Sequence, residues 1–354
     1  MHIKRPLTFL SLILFLAGML SAPALAQPHT AQQVWLPMVI QQRVIDLGTL
    51  PGDAHSTAHA INNQGQVTGF SENENYGYRA FLWTPTEGMR QIDTFGRFSI
   101  GTDINNQSHV VGVVALDSGD RQAFFWRPDY GVEWLGTLNG GSSIANAIND
   151  QDQVVGESTS ASSFLYRAFL WQPGAQMRDL GTLGGEISTA NDINNSGQVV
   201  GASETASGDE HAFIWSAADG MRDLGTLGGT FSYATDINDA GQVIGFSADQ
   251  FGRTKNFIWS AATGMIALDT IGCSLEYIEA INDRGQIVGL YDYDNGHDPW
   301  HAAICNPDGT IVDLGAVGAY NSTAYDINDY GTVVGVSYFP PGYEEEHATL
   351  WGNQ

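Results

Sequence analysis

The chain has 354 residues, of which 42 are glycine and 15% are charged, and its formal net charge is −25. This glycine-rich composition, with lysine at Lys4 and Lys255 alone, argues against a mostly helical protein, and the 43% of hydrophobic residues argues against global disorder. The negative charge argues against nucleic acid or an anionic lipid surface as a partner, because like charges repel.

The first 26 residues have the pattern of a secretory signal peptide. Lys4 and Arg5 precede an apolar run over 7–20, and a small-x-small cleavage site ends at Ala26. The run is short for a membrane span, so export is favoured over anchoring. We therefore expect cleavage after Ala26, a secreted protein and no membrane span.

An internal repeat of about 44 residues follows. The dipeptide Ile-Asn recurs seven times at spacings of 43 to 46 residues, and a glycine stands eight residues after each isoleucine. A Trp closes six of the seven copies, and Cys305 takes its place in the sixth copy. The isoleucines are Ile61, Ile104, Ile148, Ile193, Ile237, Ile281 and Ile327.

Each copy has the pattern of four short strands. In the copy at 179–222, small and apolar residues over 188–193 precede an Asn-Asn-Ser-Gly turn, and Val-rich and aromatic strands follow over 198–203 and 211–215. A second turn leads into the Asp-Leu-Gly-Thr-Leu strand over 221–227. We expect the small-residue strand to be innermost, with Ser188 and Ala190 at the central channel.

Four strands per 44 residues are typical of a β-propeller blade. The chain starts with an unpaired outer strand over 44–50 and ends with three strands that stop at Trp351, so the two ends complete one blade. Closure favours an all-β, seven-bladed propeller over an open solenoid, because it removes exposed sheet edges. The expected organisation is a signal peptide over 1–26, a leader over 27–43 and a single domain over 44–354.

The elements His211-Ala212-Phe213, Asp-Leu-Gly-Thr-Leu-Gly-Gly and Gln-Val-Val-Gly resemble the HAF-repeat family of bacterial extracellular proteins. The resemblance covers nearly all of 44–351 and implies export and repeat architecture, without an activity. The histidine varies among the copies, so we interpret its position as a solvent-facing strand start rather than a catalytic or metal site.

The Ile-Asn turns resemble calcium loops, as in Asp236-Ile237-Asn238-Asp239-Ala240-Gly241, but the downstream bidentate acid is missing and a hairpin turn is favoured. Export raises the expectation of a disulfide between Cys273 and Cys305. The blade pattern argues against it, because the two positions fall toward opposite faces, roughly 17–20 Å apart. We assign no metal and no cofactor.

No catalytic motif is present, and we assign no catalytic residue. Copy six departs from the repeat at Glu276 and Asp269. A polysaccharide-acting hydrolase or lyase and a purely structural surface protein stay open as alternatives, because propellers serve both roles.

The connections between the second and third strands vary in length and carry aromatic and acidic residues, as recognition loops on a rigid scaffold do. We predict a secreted, monomeric, non-catalytic binding module that presents these loops to a glycan or an extracellular protein partner. The candidate ligand-binding residues are Tyr78, Tyr166, Tyr291, Tyr293, Trp300, Tyr338 and Tyr343.

Overall fold

The computed structural model describes residues 43–73, 77–94, 98–160, 165–292, 299–316, 320–339 and 345–352. All of them belong to one compact unit, Pro37–Gln354. The predicted signal peptide and leader, as well as Tyr293 and Tyr343, lie outside the described residues.

In this part of the chain, 28 strands form seven antiparallel sheets of four strands each. The first strand is β1 (Arg43–Asp46). Blade 1 contains β2 (His55–Ile61), β3 (Val67–Asn73), β4 (Gly77–Thr84) and β5 (Gly88–Gln91). Blade 2 contains β6 (Phe98–Ile104), β7 (Val110–Ala115), β8 (Arg121–Arg127) and β9 (Gly131–Trp134). Blade 3 contains β10 (Asn139–Ile148), β11 (Val154–Ser160), β12 (Tyr166–Trp171) and β13 (Arg178–Asp179).

The remaining blades repeat this order. Blade 4 contains β14 (Gly184–Ile193), β15 (Val199–Thr205), β16 (Glu210–Ser216) and β17 (Gly220–Asp223). Blade 5 contains β18 (Gly228–Ile237), β19 (Val243–Asp249), β20 (Thr254–Ser260) and β21 (Gly264–Ala267), after which a 3-10 helix spans Leu268–Ile271. Blade 6 contains β22 (Tyr277–Ile281), β23 (Ile287–Asp292), β24 (Trp300–Cys305) and β25 (Ile311–Gly315). Blade 7 contains β26 (Asn321–Ile327), β27 (Val333–Phe339) and β28 (Glu345–Gly352), and β1 completes it.

The ring closes as predicted, because the N-terminal strand pairs with the C-terminal one. The register aligns Val44 with Trp351 and Asp46 with Thr349. The seven-bladed β-propeller of four-stranded blades is therefore confirmed. The expected outer strand over 44–50 is shorter, ending at Asp46, because the following Leu-Gly-Thr-Leu residues form the crossover to the next blade.

We call the side with the Ile-Asn turns the lower face and the side with the second-to-third connections and the crossovers the upper face. The hydrophobic core lies between neighbouring blades rather than within one. In the layer between blades 3 and 4, for example, Phe213 and Trp215 pack against Val155 and Leu180. The repeated aromatics of the third strand therefore face a neighbouring blade.

The innermost strand is the expected one, but its small residues do not face the channel. Ser188 and Ala190 are fully buried between blades 3 and 4. A β-bulge interrupts every inner strand, in blade 4 between Ala190 and Asp192. The bulge presses the Thr189 carbonyl against Gly201, where an added Cβ would overlap the oxygen. The same overlap recurs in all seven blades, which explains the glycine eight residues after each isoleucine.

The prediction that Cys273 and Cys305 lie too far apart to form a disulfide is wrong. Cys273 and Cys305 form a disulfide, with their Cα atoms 5.8 Å apart. The blade pattern failed here because the 3-10 helix replaces the usual crossover and the inner strand starts only at Tyr277. The chain at Gly272 contacts Gly309 in the lower turn of blade 6, which brings Cys273 to the lower end of β24.

Candidate functional site

The upper rim is formed by the residue at the start of each third strand. Tyr78, Tyr166 and Trp300 occupy this same position, opposite Glu72, Thr159 and Asp292 at the ends of the second strands. The equivalent residues elsewhere are Arg121, Glu210, Thr254 and Glu346. Three of the predicted binding residues thus belong to one structural ring.

The other two predicted binding residues within the described ranges, Tyr338 and Tyr291, do not belong to this ring. Tyr338 lies opposite Glu346 on blade 7, so it continues the surface from Trp300 on blade 6 to Tyr78 on blade 1. Tyr291 instead packs against the core of blade 6. Tyr166 lies on blade 3, apart from the blades 6, 7 and 1 that bring the other predicted residues together. The ring of Tyr78 packs edge-on against Phe70, with ring centroids 4.7 Å apart, and so is partly structural.

Blades 5 to 7 line the upper channel with aromatic and acidic side chains. We call Tyr233, Tyr277, Glu279, Tyr325 and Tyr338 the channel arc. Tyr233 hydrogen-bonds the Thr189 hydroxyl at 3.2 Å and stacks parallel on Phe246, with centroids 5.4 Å apart. The Tyr277 ring lies at the equivalent position of blade 6 and is 66% exposed.

The bulged residues form the next layer down the channel. In blades 1 to 4 each side chain donates to a carbonyl of the following blade, as His59 Nδ1 does to Gly101 at 3.0 Å and Asn146 Nδ2 to Ala190 at 2.8 Å. Thr102 and Asn191 make the equivalent bonds. Glu279 holds this position in blade 6, and within the described residues no hydrogen bond or ion pair reaches its carboxyl group.

Burial dominates the electrostatics of the upper channel. Protein surrounds the Glu279 carboxyl, although the side chain keeps some surface toward the channel, and desolvation raises its pKa to about 7. Desolvation likewise raises the pKa of Glu157 to about 7, against the opposing effect of Arg121. Burial also raises the pKa of Tyr233 to about 12, so its hydroxyl stays protonated and able to donate.

A second acidic group lies where blades 7 and 1 meet. Burial raises the pKa values of Glu72 and Glu346, and His55 opposes the shift in each. Repulsion from Asp53 raises the pKa of Glu72 further, and repulsion from Glu72 raises that of Glu346. The His55 ring accepts a long hydrogen bond from the Glu346 backbone amide at 3.4 Å. Carboxyl groups with raised pKa values are one of the features that general acid–base catalysis uses.

Below the arc, a layer of four aspartates ties the inner strands together. Asp103 accepts the amide N–H of Ile104 in its own blade and of Ile148 in the next, both at 2.7 Å. Asp192, Asp236 and Asp326 accept the amides of the following blade in the same way. Desolvation raises the pKa of Asp103 to about 8 despite these bonds. Asp236 and Asp192 also hydrogen-bond each other, so these carboxyl groups serve as structural links between blades.

The Ile-Asn turns are joined into two closed rings of hydrogen bonds. The side-chain amide of each motif asparagine donates to the backbone carbonyl of the equivalent asparagine in the next blade, as Asn194 does to Asn238 at 3.1 Å. The series runs through all seven blades and closes from Asn328 to Asn62. The next residue of each motif accepts a backbone N–H from the preceding blade, and this series closes from Asp329 to Asn63.

These rings give the turn side chains a role other than calcium binding. Asp239, for example, accepts two hydrogen bonds from Asn195. Across the described residues, no group of three or more His, Cys, Asp and Glu side chains is arranged to hold a metal ion.

The variable histidine position pairs across the third and fourth strands. His211 contacts Asp223 at 2.8 Å, and His301 and His347 contact Asp313 and Asp46 in the same way. The strand register aligns Ser247 with Lys255, so Lys255 rather than Asn256 is the equivalent in blade 5. The position lies at a strand start and is partly exposed, and its cross-strand ion pair was not predicted.

The sequence pattern missed Tyr233, Tyr277, Glu279 and Tyr325. Tyr277 and Glu279 belong to copy six, and the departure of that copy from the repeat is the feature of the sequence that could have identified them as candidates. The sequence does not show which strand positions face the channel, because the bulge shifts the alternation by one residue.

No helix within the described ranges is long and apolar enough to cross a membrane. No family model matches the chain, and no curated protein matches it.

Solved structures do match. The β-propeller domain of the Trilobed protease from Pyrococcus furiosus, which has an open velcro topology, is 10% identical with a TM-score of 0.60, over 85% of this chain and 96% of that chain. The acylaminoacyl peptidase from Pyrococcus horikoshii is 11% identical with a TM-score of 0.55, over 86% of this chain. The BP39L lectin from Burkholderia pseudomallei is 10% identical with a TM-score of 0.51, over 85% of this chain and 98% of that chain.

The chain spans 63% of the length of TolB from Acinetobacter baumannii and 52% of the length of the peptidase. At such low identity the likeness shows the fold alone. The fold that it shows is the β-propeller.

Proposed function

We propose that the protein is an exported, non-catalytic binding module of the HAF-repeat type, which binds carbohydrate at the upper end of its channel. The observation that carries the proposal is the channel arc. It gathers four tyrosines and one glutamate on three consecutive blades, beside Trp300 and Tyr78 of the upper rim.

The chemistry of the arc suits a sugar. Tyrosine faces stack on the apolar faces of sugar rings, while carboxyl groups and phenol hydroxyls bond their hydroxyls. The aspartate layer below the arc joins the inner strands of neighbouring blades, and such a rigid scaffold lowers the ordering cost of binding. The BP39L lectin, a propeller of similar fold, supports the proposal by analogy alone.

A glycan array followed by titration calorimetry on the mature protein tests this function. We expect Tyr277→Ala and Trp300→Ala to weaken binding of a hit roughly tenfold or more, because each removes an aromatic contact. The control is Tyr130→Ala, which removes a ring of 68% exposure from a lower-face turn of blade 2. If no glycan binds, or if Tyr130→Ala weakens binding as much as Tyr277→Ala and Trp300→Ala do, the proposal is overturned and a protein partner or a structural role is favoured.

Export is proposed from the signal-peptide pattern. We expect the protein in the culture medium to begin at Gln27, as read by N-terminal sequencing. A cell-retained protein that still carries residues 1–26 contradicts this part of the proposal.

A polysaccharide-cleaving enzyme is the second candidate, and the Glu72–Glu346 pair favours it. Both carboxyl groups have raised pKa values, as a general acid needs. Product analysis on every glycan hit decides between the two functions. Released oligosaccharide that disappears in Glu346→Gln would make the protein an enzyme, whereas intact ligand supports the binding module.

A further inference from the structure

The channel arc has a negative character that no cation among the described residues offsets. Burial lowers the pKa of His59, so this neighbour of Tyr325 is neutral near pH 7. Arg121 acts on Glu157, and His55 acts on Glu72 and Glu346. The charged groups that act on Tyr325 are the carboxyl groups of Glu279 and Glu346. A ligand with positive charge therefore suits this part of the channel better than a neutral or anionic one.

The position of Glu279 indicates which chemical group a ligand would supply to the channel. Its counterparts in blades 1 to 4 donate hydrogen bonds to the carbonyl of the next blade. An ionised carboxylate can only accept, so it cannot replace that donor. Its side chain is only partly buried, and its carboxyl group has no hydrogen-bond partner within the described residues, which leaves it open to an N–H donor from a ligand.

The tyrosines around Glu279 favour a cationic donor over a hydroxyl. A protonated amine is attracted to the face of an aromatic ring, and it also forms a charge-assisted hydrogen bond with a carboxylate. Tyr277, at 66% exposure, presents its ring two residues from Glu279 on the same inner strand.

We propose that the channel arc binds the amino groups of an amine-bearing glycan, an oligosaccharide of 2-amino sugars, with Glu279 as the acceptor. This inference rests on the carbohydrate-binding function proposed above and names its ligand class. In the complex the protonated amino group donates an N–H to the ionised Glu279 carboxylate, and no covalent bond forms or breaks.

The test compares oligomers of glucosamine with oligomers of N-acetylglucosamine of equal length, by calorimetry at pH 7. We expect the amine form to bind roughly ten- to hundredfold more tightly, as a charge-assisted hydrogen bond provides. Glu279→Gln should abolish that preference. The matched control is Glu87→Gln, which removes the same charge from an exposed lower-face turn and should keep the preference.

The outcomes separate this inference from the function on which it rests. Equal binding of both oligomers, binding of neutral glycans alone, or a preference that survives in Glu279→Gln overturns the inference and leaves carbohydrate binding in place. The absence of binding to any glycan overturns both.

Discussion

A single buried serine joins two blades at the start of most inner strands. The Ser188 hydroxyl donates to the Gly181 carbonyl at 2.7 Å and accepts the Ala168 amide at 3.0 Å. The same pair of bonds recurs at Ser56, Ser143, Ser232 and Ser322. The serine is therefore repeated because its hydroxyl links two blades by hydrogen bonds, and not only because its side chain is small.

Ser188→Ala should lower the free energy of unfolding by about 1–3 kcal/mol, because a buried donor and acceptor lose their partner. Urea unfolding measures the loss. The control is Ser207→Ala, at an exposed turn position of the same blade, which should change stability by less than about 0.5 kcal/mol. Equal losses in both variants would show that the bridge contributes nothing.

Copy six shows the same bridge built from other residues. Glu276 replaces the serine, and the Asn256 side chain of blade 5 donates to the Leu275 carbonyl at 2.8 Å instead. Two departures from the repeat therefore compensate each other across a blade boundary. Sequence comparison of one copy with the next cannot pair them, because they lie in different copies.

At the scale of elements, the two asparagine-based rings hold the lower ends of the blades together. Asn194 must donate, since its amide faces the Asn238 carbonyl, whereas Asn195 accepts a backbone N–H from Asp150. The second ring already holds aspartate in four blades, at Asp150, Asp239, Asp283 and Asp329.

The same substitution at neighbouring positions should therefore have different effects. Asn194→Asp puts a buried carboxylate against the Asn238 carbonyl and should cost about 1–3 kcal/mol of unfolding free energy. Asn195→Asp keeps the acceptor and loses only the exposed hydrogen bond that Asn195 Nδ2 donates to Asp239, so it should cost clearly less. Thermal and urea unfolding at pH 7 compare the two variants. A larger loss for Asn195→Asp would refute the assignment of donor and acceptor rings.

The Cys273–Cys305 disulfide fixes the segment that replaces the usual crossover before blade 6. It joins residues 32 positions apart, and cross-linking a loop of this length stabilises a fold by roughly 3–4 kcal/mol in the chain-entropy model. Peptide mapping without reductant should recover the linked pair. Cys305→Ala should lose about that stability relative to the oxidised protein, and no difference between the variant and the wild type would contradict the bridge.

At the scale of the whole molecule, the repeat was enough to predict the ring. The spacing of the Ile-Asn turns predicted seven blades, and the incomplete ends predicted the closure that aligns Val44 with Trp351. The candidate binding face was predicted only in part. Tyr78 and Trp300 could be assigned to it from loop composition, but Tyr277 and Glu279 could not, because the bulge and the neighbouring blades decide which side chains reach the channel.

Glu279 also links the candidate site to the pH dependence of the fold. A carboxyl group whose pKa is raised in the folded state stabilises the fold fully below its ordinary pKa, and that contribution is lost as pH rises through the folded value. The values of about 7 for Glu157, Glu279 and Asp326 and about 8 for Asp103 place the loss between roughly pH 4 and pH 8.

The protein should therefore unfold more easily in urea at pH 8.5 than at pH 5. Glu279→Gln should raise the unfolding free energy at pH 8.5 by roughly 1–3 kcal/mol and flatten the pH profile, because it removes a partly buried carboxylate that has no partner within the described residues. Glu87→Gln, at an exposed turn, should leave the profile unchanged. A Glu279→Gln variant that is less stable than the wild type at pH 8.5 would show that the carboxyl group has a structural partner. The expected gain would instead mark Glu279 as a residue that costs stability, as binding-site residues commonly do.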